Sequence, residues 1–395
     1  MSPAGRYAST SAWTWGRLLR IGVVAFGLLA LLDVALLGEE QRIVRDGRAG
    51  LVRNADGRNM MEACLRTLHE GGGPGTVVMV GASVTFGANL DPIEALPAQL
   101  SARLAERDPS YSVVNCAVPG GNSRSPLPVT TAFSRNPAAL LLIEVMVPVF
   151  AARDTGPLPP WSEQEVALLE LASPVQRAWL EQGGHWPSLR DRIEAQLTER
   201  VRAYWRLYRL RGPLWIDEEL MPNQLVWTLR REVATAGFLP KRFHGQTTNV
   251  GRLPWREAYT GGQRPAGSQR IHAPVVALSQ RDLSGLLLVA RSSAEAGVPV
   301  ALYEIPLNLP FQREFGLMSD EEIARLARVR AMLRERIARE GLPWIDAPVL
   351  PDEAFLDRAH LTPQGSRAFA ARLAPAVEEI LARTRGAAVP HAAVP

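Results

Sequence analysis

The chain has 395 residues, of which 47% are hydrophobic, 21% charged and 7% aromatic. This is the balance of a globular protein, and it excludes a disordered chain, a collagen-like repeat or a disulfide-dense mini-scaffold. Net charge is +4, but Lys241 is the one lysine, and the arginines alternate with Asp and Glu instead of forming a run. A polyanion binder concentrates its positive charge, so no nucleic-acid partner is expected.

The first element is apolar. Ile21 to Leu37 carries a single charge, Asp33, and Leu18, Leu19 and Gly38 bring the run close to the length that spans a bilayer. Arg6, Arg17 and Arg20 precede it, Trp13 and Trp15 stand where interfacial anchors stand, and no small-x-small cleavage site follows. The expectation is an uncleaved signal anchor within residues 1–40. A single-pass chain with its body outside the cytoplasm (periplasmic) follows; the alternative is a buried apolar helix. Residues 41–74 read as a linker and lead-in helix.

From residue 75 the chain alternates strand and helix. Thr76 to Val80 (TVVMV) is a continuous apolar run, as a buried parallel strand requires. A helix is predicted over Pro92 to Glu106, with Leu96, Leu100 and Leu104 on one face. Strands follow at Tyr111 to Asn115 and within Ala138 to Val149. The alternation then stops. Residues 151–272 carry helical patterns, Pro- and Gly-rich connectors and seven of the ten tryptophans, and read as a mostly helical insertion or cap. Those tryptophans are core side chains or, alternatively, stacking platforms for sugar rings.

Alternation resumes over residues 273–385. A helix is predicted near Val276 to Ala296 and a strand over Val298 to Ile305. The next helix opens on the capping box of Ser319 to Glu322 and ends at Gly341; a short strand covers Trp344 to Asp346. The last helix starts at Pro363 behind Thr362, and residues 386–395 form a tail. The fold class is therefore α/β: a doubly wound, flavodoxin-like parallel sheet with helices on both faces, plus the N-terminal transmembrane helix and the insertion. The α/β body occupies residues 75–150 and 273–385. Cys64 and Cys116 make no disulfide framework and lack metal-ligand spacing. Two buried free thiols are expected, with one bridge as the alternative.

In such a sheet, ligands bind beyond the carboxyl ends of the strands, and three segments sit there. Gly81-Ala82-Ser83-Val84-Thr85-Phe86-Gly87 follows the first strand, and its small residues leave the Ser83 hydroxyl exposed at a sharp turn. A nucleophilic serine needs that exposure and nearby N–H donors; a plain βα turn is the alternative. Asp357-Arg358-Ala359-His360 precedes the last helix, so Asp357 can hold one ring nitrogen of His360 while the other faces Ser83. Asn115 to Ser123, with Gly120 and Gly121, can turn an N–H toward the same cleft. His69, His185, His244 and His272 have no ligand spacing and no phosphate loop is present, so neither metal nor cofactor is expected.

Together these segments resemble the SGNH, or GDSL-type, serine hydrolase superfamily, over roughly residues 75–150 and 275–385. Gly81-Ala82-Ser83 stands in its first block, Gly120 in its second, and Asp357 with His360 in its last. The resemblance implies Ser83 as nucleophile, His360 as base and Asp357 as its orienter. It also implies an oxyanion hole that includes the Ser83 and Gly120 N–H groups. Two departures stand out: Ala82 replaces the family Asp, and the third block, Glu144 to Val149, has no asparagine. Asn122 is the nearest substitute in sequence for that oxyanion donor. With the anchor, the chain resembles membrane-bound proteins that add or remove O-acetyl groups on cell-surface polysaccharides. The expected function is a serine esterase or O-acyltransferase acting on acyl esters, acetyl first among them, of an extracytoplasmic polysaccharide or other carbohydrate; the alternative is a non-catalytic glycan-binding or scaffold protein of a cell-envelope assembly system.

Overall fold

The computed structural model describes residues 57–151 (except 89 and 91), 172–182, 254–258 and 276–387, with shorter pieces within 20–31 and 188–197. Five parallel strands form one sheet in the order β2-β1-β3-β4-β5: β1 Thr76–Val80, β2 Ser112–Asn115, β3 Leu140–Val145, β4 Val300–Glu304 and β5 Trp344–Ile345. Every residue of β1, β3 and β4 is buried. That is why their sequences are continuous apolar runs and do not alternate. The two edge strands, β2 and β5, are short and half-exposed, which limits the unpaired backbone offered to other chains.

Alternate strand residues face opposite layers. Val78, Val80, Leu141, Ile143, Val300 and Leu302 pack beneath α1 (Gly57–Gly71), α4 (Gln280–Glu295) and the end of α6 (Asp320–Arg339). Val77, Met79, Leu140, Leu142, Ala301 and Tyr303 pack against α3 (Leu96–Arg107) and α7 (Pro363–Ala387). Between α3 and α6 in sequence lie α4 and the short α5 (Leu309–Glu314), and α2 (Ser83–Phe86) precedes α3. Leu100 and Leu104 of α3 and Leu333 and Ile337 of α6 are fully buried. Each such side chain contributes roughly 1.5–3 kcal/mol over its exposed state. The fold is thus α/β with helices on both faces of a parallel sheet.

Helix boundaries differ from expectation in two places. The segment from Pro92 is a 3-10 turn, Pro92–Glu94, and α3 begins only at Leu96 with Pro97 in its first turn. A proline there loses no hydrogen bond and marks the true start. α4 begins at Gln280 because Ser279 caps it, accepting from the Asp282 N–H, and Leu278 is held in a bridge to Ala151. The Ser319 capping box opens α6 as the sequence requires, and Gly341 follows its last turn with φ +71°.

The expectation of free thiols is overturned. Cys64 of α1 and Cys116, just past β2, form a disulfide with Cα atoms 5.4 Å apart. The buried face of α1 (Met61, Cys64 and Leu68) lies in the same core layer as Cys116, which brings the two within bridging range.

The interval between β3 and β4 supplies no strand to the sheet among the described residues. Helices Pro174–Gln182 and Trp255–Ala258 and the antiparallel bridge Ala151–Leu278 are described there. Trp255 is 1% exposed and stacks edge-on against Phe311 and Phe315, so it is core and not a sugar platform. Trp161, Trp186, Trp205, Trp215 and Trp227 lie outside the described residues, as does the side chain of Trp179.

Among the described residues, no helix is long and apolar enough to cross a membrane. Arg20 and residues 23–28 and 30–31 of the apolar run are helical, with Val23, Phe26 and Leu31 exposed; the rest of the expected anchor lies outside the described residues.

Candidate active site

β1 ends at Val80, and the chain turns through Gly81 and Ala82 into the single helical turn of α2, which opens on Ser83. Gly81 is required there, because a Cβ would run into the Glu144 carboxylate and come within 2.8 Å of Thr85 Oγ1. Gly87, at φ +83°, ends the turn in the left-handed region that favours glycine. The result is a serine held at the carboxyl end of a central strand.

The histidine loop is built by its own aspartate. Phe355 and Leu361 form an antiparallel bridge, and the residues between them make a tight loop. Asp357 Oδ1 accepts the N–H groups of Ala359 (2.9 Å) and His360 (2.8 Å), while Oδ2 lies 2.7 Å from His360 Nδ1. One carboxylate oxygen shapes the loop and the other orients the ring. Asn308, from the segment after β4, locks the loop from outside. Its side chain donates to the Asp357 carbonyl (3.1 Å) and its N–H to the Arg358 carbonyl (2.9 Å).

With Nδ1–H donating to Asp357, Nε2 is left as the acceptor, and it lies 2.8 Å from Ser83 Oγ. Ser83, His360 and Asp357 thus form one continuous hydrogen-bonded relay between residues 277 positions apart. The electrostatics reflect the same pairing. Burial pushes the His360 pKa down, but the hydrogen bond and charge of Asp357 outweigh it, and the net direction is up. Arg358 opposes this and Glu144 adds to it. Burial pushes Asp357 up, yet the hydrogen bond and charge of His360 and the two N–H groups hold it below the usual carboxylate value.

The other site residues named from sequence are placed as follows. Gly120 sits in a turn after β2 with φ +70°. Among the described residues, neither its N–H nor that of Ser83 has a hydrogen-bond acceptor. Asn122 spends its carboxamide oxygen on its own turn, accepting from the N–H groups of Arg124 (2.9 Å) and Ser125 (3.2 Å). In the third block the chain after β3 makes a helical turn, Val147–Phe150, with Pro148 in its first positions, so it contributes no amide side chain. No group of three or more metal-ligating side chains exists among the described residues.

Two residues around the relay escaped the sequence reading. Asn308 is 1% exposed and carries the loop contacts above. Glu144, the penultimate residue of β3, is a buried carboxylate that accepts from the N–H groups of Ala82 and Thr85. The signal for Glu144 was present: it is the one charged residue in the run LLLIEV. Nothing in sequence distinguished Asn308 from an ordinary helix cap, a role it also has toward Phe311.

No family model matches the chain, and no curated protein matches it. Among solved structures it is similar to TesA at 14% identity and a TM-score of 0.33, covering 77% of this chain and 99% of that one. It is also similar to a carbohydrate acetylesterase family member from Sinorhizobium meliloti at 12% identity and a TM-score of 0.31, covering 78% and 99%. A third is the native aryl esterase of M. smegmatis, at 13% and 0.30, covering 77% and 99%. At such TM-scores these likenesses carry no argument for activity or substrate.

Proposed function

We propose that the chain is an SGNH-type serine esterase acting on an acyl ester, with Ser83 as nucleophile, His360 as general base and Asp357 as its orienter. The observation that carries this reading is the unbroken relay from Ser83 Oγ through His360 to Asp357, at 2.8 and 2.7 Å. A serine hydroxyl within reach of a base that is itself oriented by a carboxylate is the arrangement nucleophilic acyl transfer needs. In the reaction the Ser83 Oγ–H proton passes to Nε2 as Oγ bonds to the acyl carbon. The carbonyl electrons move to oxygen, where the free N–H groups of Ser83 and Gly120 serve as donors. Collapse expels the alcohol, which takes the proton back from Nε2. Water, or a sugar hydroxyl in an O-acyltransferase, then releases the acyl group by the same steps in reverse.

The acyl group is proposed to be acetyl and its carrier an extracytoplasmic carbohydrate. The Cys64–Cys116 disulfide supports an oxidising compartment, and the run Ile21 to Leu37 supports a single-pass anchor in the cell membrane. Reporter fusions at either end of the chain test the orientation.

One observation favours a second reading, a non-catalytic glycan-binding module: the third block, Glu144 to Val149, has no asparagine, the residue that supplies an oxyanion donor in the resembled family. Loss of one oxyanion donor costs on the order of 10²–10³ in rate. Fluorophosphonate labelling decides between them. The esterase reading requires labelling of wild type that disappears in Ser83→Ala and His360→Ala; a wild type that resists labelling favours the binding module. Product analysis of an acetyl ester, with and without an oligosaccharide acceptor, separates esterase from transferase.

A further inference from the structure

Directly behind the Ser83 turn lies a polar cluster that the relay does not use. Glu144 Oε2 is approached by three donors: the N–H groups of Ala82 and Thr85, each at 3.1 Å, and the Thr85 hydroxyl. The Tyr303 hydroxyl of β4, on a fully buried side chain, contacts Thr85 Oγ1. The proton directions follow from inventory. Thr85 has one hydroxyl proton and gives it to Glu144, so its oxygen must accept from Tyr303. Burial first, and then the charge of Glu144, push the Tyr303 pKa well up, which keeps that proton in place. Burial pushes the Glu144 pKa up, and the Thr85 hydroxyl and the N–H groups of Ala82 and Thr85 pull against it; with Glu144 ionised, every proton in the cluster points at it.

Ala82 and Thr85 flank the serine, so a single oxygen grips the turn on both sides of Ser83. Gly81 leaves the room this grip requires. A buried charge inside a central strand is costly unless it is well served, and here it is served by the turn that presents the nucleophile. We propose that Glu144 is a positioning residue. Its carboxylate fixes the Ser83 turn and, from the serine side, faces the imidazolium that forms when His360 takes the Ser83 proton. The proposal rests on the serine-esterase reading. The charges acting on His360 are Asp357 and Arg358 from its own loop and Glu144 from β3. Arg358 opposes the cation and the two carboxylates favour it. Tyr303, from β4, faces Glu144 and stays neutral.

The test uses Glu144→Gln, Thr85→Val, Thr85→Ser and Tyr303→Phe in the full chain, with two readouts. One is the rate of fluorophosphonate labelling at Ser83 across pH; the other is the His360 titration by NMR, its signal identified by its loss in His360→Ala. Glu144→Gln keeps an acceptor oxygen and removes the charge. It is expected to slow labelling roughly ten- to a hundredfold, as a displaced nucleophile does, and to lower the His360 midpoint. Thr85→Val and Tyr303→Phe are expected to slow labelling less and leave the midpoint unmoved, and Thr85→Ser to restore the wild-type rate. Labelling at the wild-type rate with an unmoved midpoint in Glu144→Gln overturns the proposal. If Glu144→Gln does not fold, wild-type labelling rates in both Thr85→Val and Tyr303→Phe overturn it. If wild type is not labelled at all, the esterase reading fails, and the His360 midpoint alone then decides whether Glu144 acts on His360.

Discussion

The sharpest test of the relay is Asp357→Asn, because the loop geometry dictates what the amide must do. Oδ1 of Asp357 holds two backbone N–H groups and Oδ2 holds the His360 ring. An asparagine has one acceptor oxygen, and the two N–H donors claim it. Rotating the amide the other way would set its NH₂ against both, forfeiting two hydrogen bonds at about 1–3 kcal/mol each where the groups are buried. The NH₂ therefore lands opposite Nδ1, which must give up its proton and accept. Nε2 then carries the hydrogen and points it at Ser83 Oγ, so the serine proton has no acceptor. The wrong tautomer in such a relay costs about 10⁴ in kcat, or about 5 kcal/mol of barrier. Because the loop keeps its two N–H bonds, the melting temperature should stay near that of wild type. The assay is kcat on an activated acetyl ester, with nitrogen NMR of His360 to read the tautomer. A folded Asp357→Asn protein whose kcat lies within tenfold of wild type would refute the argument.

Other outcomes follow from the same geometry. His360 must be neutral to act as base and its pKa is raised above 6.5, so kcat/KM should rise with pH through a midpoint above that value; a midpoint clearly below it contradicts the Asp357 pairing. The same pairing stabilises the fold fully at pH below the unfolded imidazole value and is lost as pH rises through the raised one, so the melting-temperature gap between wild type and His360→Ala should shrink at alkaline pH. Breaking the disulfide in Cys64→Ser/Cys116→Ser reopens a loop with a sequence separation of 52, a loss of about 4 kcal/mol in the chain-entropy account; urea melts of oxidised wild type and the double variant measure it, and coincident midpoints would contradict it. Removing residues 1–40 should leave a soluble chain that melts cooperatively, whereas aggregation would mean that the Ile21 to Leu37 run belongs to the core.

What could be read from sequence divides along physical lines. β1 and β3 were legible because strands covered on both faces must be apolar throughout, and TVVMV and LLLIEV are buried at every position. Ser83 and the Asp357–His360 pair were legible because each sits in a local pattern that a strand end or helix start makes meaningful. The Cys64–Cys116 bridge was not, since it depends on how α1 lies over the sheet, and spacing carries no such information. Glu144 was passed over for a related reason. Its neighbours, Ala82 and Thr85 of the Ser83 turn and Tyr303 of β4, come from two other places in the chain, and only the register of β3 between β1 and β4 brings them together. β5, Trp344–Ile345, falls within the short strand expected at Trp344 to Asp346.

The sheet order also sets a timetable for the newly made chain. β1, β2 and β3 are complete by Val145, but β3 has an open edge until Val300 to Glu304 arrives to pair with it. At roughly 5–20 residues per second, that edge waits on the order of ten to thirty seconds during synthesis. Closing an intervening loop of that length, were it flexible, costs about 4–5 kcal/mol. His360 and the whole of α7 come later still, so Ser83 is presented on its finished strand well before its hydrogen-bond partner His360 is made. Until then the half-sheet exposes the unpaired side of β3, whose residues are all apolar apart from Glu144, an edge open to pairing with other chains.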